Sequence, residues 1–117
     1  MGAQYITLYR SKEVAGSTEE ANTYTPPTGA KITVVEFEGD AAFTSNSVVS
    51  ILWDYNTANE EPVWTIKGSR ITKQKFTTDG AGNALTGDGT KKIAICLSNG
   101  EAGSLYMSGY AKLLVET

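Results

Sequence analysis

The chain reads as a series of short segments in which apolar and polar residues alternate with a period of two, the pattern of strands that bury one face. The clearest case is residues 47–68, SVVSILWDYNTANEEPVWTIKG. Its first arm sets Val49, Ile51, Trp53 and Tyr55 on one face against Ser50 and Asp54; its second runs over residues 63–67 and ends at Gly68. A polar loop, residues 56–61, joins them. Pro62 stands at the start of the second arm, where a missing backbone donor costs least. The segment predicts a β-hairpin in which both indoles take core parity, Trp53 alongside Ile51 and Trp64 on the face of Ile66.

The theme repeats along the chain. Residues 5–10 alternate Ile6 and Leu8 against Tyr5, Thr7 and Tyr9, and residues 16–22, GSTEEAN, read as a polar turn. The paired prolines of TYTPPTG remove two backbone donors, and Gly29 relieves the turn. In residues 31–38, Thr33, Val35 and Phe37 share one face while Ile32 and Val34 share the other, so this strand is either covered on both sides or bulged near Val34. Residues 71–77, with KQKF at the centre, suit a sheet edge guarded by lysines. Ile93, Ile95 and Leu97 alternate with Ala94 and Cys96. Finally Leu105, Met107, Ala111, Leu113 and Val115 share one parity, and Tyr106, Ser108, Tyr110, Lys112 and Glu116 the other, with Gly109 as an expected bulge or bend.

No window of helical length carries a 3.6-residue period. About eight strands separated by turn signals predict an all-β fold, an antiparallel β-sandwich. A jelly roll accommodates that number with unequal connections. An immunoglobulin-like sandwich is the alternative, although its cysteine pair is absent. The 117 residues make one domain, 1–117, with residues 1–4 expected as an extended N-terminal arm.

Composition narrows the chemistry. Hydrophobic residues at 40% and charged residues at 20% belong to a folded chain. The net charge of −3 and the scatter of Lys and Arg argue against nucleic acid as a partner, since phosphate neutralisation needs clustered cations. Cys96 is the single cysteine, which excludes an intrachain disulfide and fits a reducing cytoplasm; between Ile95 and Leu97 it is expected to be buried and inert. The opening MGAQYITLYR lacks the charged and apolar regions of a signal peptide, and no apolar run is long enough for a bilayer, so a soluble protein with no membrane partner is expected.

Histidine is absent, which removes the usual general base and the commonest zinc ligand. Glu19-Glu20 and Glu60-Glu61 are adjacent pairs that point to opposite faces. Glu36 and Glu38 do share a face at a spacing open to glycosidase chemistry, yet without a recognisable cleft they read as a solvated surface. DGAGNALTGDG departs from a calcium loop, because Ala81 stands where a ligand belongs and no glutamate closes it; its Asp-Gly and Gly-Asn pairs are those of tight turns. No catalytic residue, metal or cofactor is therefore expected, and the chain does not read as an enzyme.

The tyrosines are the remaining lead. Tyr106 and Tyr110 lie opposite the apolar parity of their strand, and with Tyr5 and Tyr9 they predict an exposed aromatic surface suited to a protein interface or to stacking on sugars. The plainer reading is a second buried face or scattered surface tyrosines. The hairpin loop adds Asn56, Asn59 and Glu60 as candidate contacts.

The order of features is itself informative: an N-terminal strand, YTPPTG at 24–29 leading into a β-branched strand, ILWDY at 51–55 followed by Glu60-Glu61, and LTGDGTKKI at 85–93 before a strand ending in Asn99. Over nearly the whole chain this resembles the small β-sandwich capsid decoration or cement proteins of tailed bacteriophages. The resemblance implies an accessory virion protein, synthesised in the bacterial host cytoplasm. Such a protein binds the major capsid protein on the outside of the shell as a homodimer or homotrimer, and works through surface area alone. Two alternatives remain at this stage, a carbohydrate-binding module and a tail or fibre domain that contacts host glycans.

Overall fold

Seven strands form two antiparallel sheets in the computed structural model, which describes residues 2–41, 44, 46–67 and 76–117. The strands are β1 (Ala3–Val14), β2 (Thr18–Tyr24), β3 (Lys31–Asp40), β4 (Ser47–Trp53), β5 (Glu61–Lys67), β6 (Ile93–Asn99) and β7 (Leu105–Glu116). One sheet has the order β1-β7-β3 and the other β2-β6-β4-β5. The first four strands alternate between the sheets, and β1 and β2 find their partners in the last two strands. That nested order is a jelly roll rather than an immunoglobulin sandwich. The predicted strand 71–77 lies outside the described residues apart from its last two. Of these, Phe76 exchanges two backbone hydrogen bonds of 2.8 Å with Val34 at the outer edge of β3.

The core fills the space between the sheets. Leu8, Ile32, Val34, Phe37, Met107, Ala111, Leu113 and Val115 face Val49, Ile51, Trp53, Ile93, Ile95 and Leu97, all buried. Each fully buried large side chain contributes about 1.5–3 kcal/mol relative to exposure. The conflicting parity of residues 31–38 is resolved by a β-bulge: the register of β3 on β7 shifts between Val34 and Glu36. Val35 is the extra residue, so Ile32, Val34 and Phe37 all point inward while Glu36, Glu38 and Asp40 point outward.

Several expectations are corrected. Residues 18–24 form a strand, not a turn. Their polarity belongs to an edge, where Glu20 binds Arg10 (2.7 Å) and Lys12 (3.2 Å) of β1 across the seam between the sheets. The actual turn is tighter and centres on Ser17, at φ 58°. Residues 2–4 are no free arm: Ala3 and Gln4 pair with Glu116 and Val115, and Gly2 with Thr117. Gly109 makes no bulge, since its pairing with Arg10 and Gly39 keeps register. It is small because the sheets approach closely there; a Cβ would stand 2.7 Å from Ile95 Cγ2 and 3.0 Å from Val49 Cγ1. Trp53 is buried as predicted, but Trp64 is 42% exposed. A second bulge, between Ile51 and Leu52 in the β4–β5 pairing, makes Val63 the extra residue; Trp64 keeps its place opposite Ile51 but on the outermost strand of its sheet, where it stacks on Phe76 with ring centroids 5.3 Å apart. Tyr55 also leaves its predicted parity, because Asp54 turns the chain with φ 57°. No helix among the described residues is long and apolar enough to cross a membrane.

Candidate functional site

Strand alternation in β1 and β7 sends every second residue to the outer face of the three-stranded sheet, and the tyrosines fall on those positions. Tyr5, Tyr9 and Tyr106 are 60%, 56% and 66% exposed, and Tyr110 is half-buried. The register sets them out in rows. Tyr9, Tyr110 and Glu38 stand side by side across the three strands; Ser11, Ser108 and Asp40 form the next row, and Glu13 pairs with Tyr106 beyond it. Toward the other end come Thr7, Lys112 and Glu36, then Tyr5, Leu114 and Thr33. From Tyr5 to the Tyr106 row is eight residues of β1, roughly 27 Å.

Two of the rings are held by neighbours on the same face. The Lys112 ammonium lies 4.6 Å from the centroid of Tyr5, a cation–π contact, and Ser11 Oγ donates to the Tyr106 hydroxyl at 3.1 Å. The small serine row beside the Tyr9 and Tyr110 rings leaves a shallow hollow of about 200 Å³, walled by Glu38 and Asp40. The sequence places Glu36 and Glu38 on one face, and the same alternation reaches Asp40; the bulge at Val35 turns that face outward, beside the tyrosines, while Ile32 and Val34 stay in the core. The signal for it lay in the two competing parities of residues 31–38.

The outer face of the other sheet is closed. Ala94, Cys96 and Ser50 point outward yet are 0%, 3% and 9% exposed. Ser50 and Thr65 hydroxyls share a hydrogen bond of 3.2 Å, and Cys96 Sγ lies 3.5 Å from Glu19 Oε2. Burial first, and then the Glu19 carboxylate, pushes the Cys96 thiol up to about 12, so it stays protonated and unreactive. The Tyr55 hydroxyl is raised as well, by burial first and then by its charged surroundings, which include the Glu19 and Glu60 carboxylates.

Asn56, Asn59 and Glu60 are not brought to the tyrosine face. They sit in the loop between β4 and β5, at the end of the opposite sheet. There Glu60 Oε1 accepts the Asn56 N–H at 2.7 Å, and Thr57 Oγ1 accepts that of Asn59 at 3.1 Å. Asn56 and Glu60 thus tie their own loop together. The aspartates of residues 79–89 do similar work: Asp79 Oδ1 accepts the N–H groups of Ala81 and Asn83, each at 2.9 Å. Asp88 Oδ1 accepts from Lys91 N–H, Thr90 N–H and Thr90 Oγ1, which hold its carboxyl down at about 2. These are turn carboxylates, and among the described residues no group of three potential ligands is placed to hold a metal ion.

No protein-family model matches the chain, and no curated protein matches it. Among solved structures it is similar to a chain in the acid-stable capsid of Helicobacter pylori bacteriophage KHP30, at 14% identity and a TM-score of 0.48, over 99% of this chain and 94% of that one. It is also similar to TmCBM61 in complex with β-1,4-galactotriose, at 9% identity and a TM-score of 0.46, covering 98% and 88% of the two chains. The Yersinia pseudotuberculosis-derived mitogen gives 9% identity and a TM-score of 0.45, over 96% and 86%.

Proposed function

We propose that this protein is a non-enzymatic structural component of a virion, which lays the outer face of β1-β7-β3 against the exterior of a tailed-phage capsid and stabilises the shell. The observation that supports this reading is the spread of three largely exposed tyrosines over one flat sheet face. Tyrosine supplies large amphipathic contact area at low entropic cost and is enriched where proteins meet. A span of roughly 27 Å is far longer than one sugar ring and matches a protein footprint. Three strands at about 4.8 Å spacing make the face narrow, well under the ~800 Å² per partner of a standard interface. Each contact is then weak, and stabilisation comes from many copies acting together. The partner is the major capsid protein, the protein is made in the bacterial host cytoplasm and resides in the virion, and a homodimer or homotrimer matches a symmetric shell; these follow the resemblance in the order of its sequence features.

The test is addition of purified protein to undecorated capsids of the matching phage. Uptake in a fixed ratio, with a higher capsid disruption temperature, is the expected result, and combined Tyr9→Ala and Tyr106→Ala should lower occupancy at least about tenfold. Capsids that take up none of the native protein would sink the proposal. The exposed rings also favour a second reading, stacking on host glycans. On that reading Tyr106→Ala or Tyr110→Ala abolishes sugar binding and leaves capsid uptake intact.

A further inference from the structure

A second concave site lies away from the tyrosine face, at the end of the sandwich where β4 passes to β5. The loop of residues 54–60 and the turn of residues 79–84 face each other there across a cleft of about 390 Å³. Trp53, 4% exposed, is among its lining residues, and the small side chains of Ala58, Ala81 and Ala84 leave the room. Its polar lining is Asp54, Asn59 and Glu61 from the loop and the start of β5, Asp79 and Asn83 from the turn, and Lys91.

We infer that this cleft binds a single neutral sugar residue, a hexopyranose. The volume is at the lower end of small-molecule sites, which run from about 300 to 1,000 Å³. The lining mixes every hydrogen-bonding type: carboxylates that only accept, an ammonium that only donates, and two amides that do both. Vicinal hydroxyls, each donor and acceptor at once, satisfy such a mixed wall; a cation meets the Lys91 ammonium, and an anion meets Asp54 and Glu61. Asn59 and Asn83 are exposed and are fixed through their backbone N–H groups, to Thr57 Oγ1 and to Asp79 Oδ1, which leaves their side-chain amides open to a ligand. Both walls are also preset. Gly80 N–H donates to Pro62 O at 2.6 Å, anchoring the turn to β5, and Tyr55 N–H donates to Lys92 O at 3.0 Å, anchoring the loop beside β6. The site is carried by loops that take no part in capsid docking, so it stands or falls separately from that reading.

Titration of the intact protein with free glucose, galactose, mannose and N-acetylglucosamine, followed by amide chemical shifts, tests it. At least one sugar should give saturable shifts confined to residues 53–61 and 79–91, with a Kd of order millimolar. Combined Asn59→Ala and Asn83→Ala, both at exposed positions and so compatible with folding, should weaken that binding about tenfold, while Tyr9→Ala leaves it unchanged. No saturable shift with any of the four sugars overturns the inference. So does binding that survives the paired asparagine change, or binding lost in Tyr9→Ala, which moves the sugar to the tyrosine face.

Discussion

The two outer faces of the sandwich are built from the same alternation and end up with opposite characters. On β1-β7-β3 the outward positions carry long amphipathic rings, and three of them stand more than half open to solvent. On β2-β6-β4-β5 the central outward positions of the inner strands are Ala94, Cys96 and Ser50, so short that flanking side chains bury them, while Val48, Leu52 and Ser98 around them are half-buried. Strand parity alone therefore does not decide exposure. Position within the sheet and side-chain length decide together whether an outward residue is offered to a partner or sealed by its neighbours. The first face leaves large rings open to solvent, and on the second Ala94, Cys96 and Ser50 are covered by the chain itself.

Chemical modification gives the largest expected contrast. A thiol pushed from 9.0 to about 12 has a thiolate fraction about a thousandfold lower at neutral pH, so Cys96 should react with a thiol reagent about that much more slowly in the native protein than in denaturant. Tetranitromethane should modify Tyr5, Tyr9 and Tyr106 under the same native conditions; a fast thiol or slow tyrosines would erase the distinction between the faces. The next effect comes from cutting what joins them. Asn99 is buried and satisfied, its Nδ2 donating to Val14 O of the first sheet at 2.9 Å and to Gly103 O at 2.8 Å, while Oδ1 accepts Glu101 N–H. Asn99→Ala orphans these groups and should cost about 2 kcal/mol in urea unfolding. By contrast Tyr5→Ala and Tyr106→Ala should each change stability by no more than about 0.5 kcal/mol while reducing capsid uptake; a large stability loss would make the rings structural. The smallest effect lies on neither face. Asp88 has a folded pKa of about 2 against an ordinary 3.8, so its contribution is present above the ordinary value and is lost as pH falls from 3.8 toward 2. Asp88→Asn should flatten the acid limb of a stability profile over that window, and a limb as steep as the parent's would remove Asp88 from it.

Core faces were legible in the sequence where alternation runs unbroken. Met107, Ala111, Leu113 and Val115 of β7 and Ile93, Ile95 and Leu97 of β6 are buried as their spacing predicts, and the tyrosines opposite β7's apolar parity do point outward. Legibility failed at an edge and at a turn. Trp64 keeps its pairing with Ile51 but stands on the outermost strand of its sheet, and the left-handed Asp54 releases Tyr55. At residues 31–38 the conflict itself was visible, and the structure chose the bulge at Val35 over a doubly covered strand. Strand β2 was hidden for another reason. Its glutamate is matched by Arg10 and Lys12 and its backbone by β6, so nothing within residues 18–24 announces a strand. The cleft was illegible because its two walls, residues 54–60 and 79–84, belong to separate stretches of the chain and meet only when the sandwich closes.

The nested pairing has a consequence in time. Among the seven strands β1 pairs only with β7, β2 only with β6, and β3 only with β7 and with a bridge to Phe76, so β1 and β2 have no strand partner until the last two exist. Only β4 and β5 form a local hairpin. Folding dominated by such distant pairings is slow, of order milliseconds to seconds, and leaves unpaired strands open to self-association meanwhile. The strand that carries Tyr5 and Tyr9 is synthesised well before β7, and until β7 joins it one whole edge of backbone donors and acceptors stands unpaired.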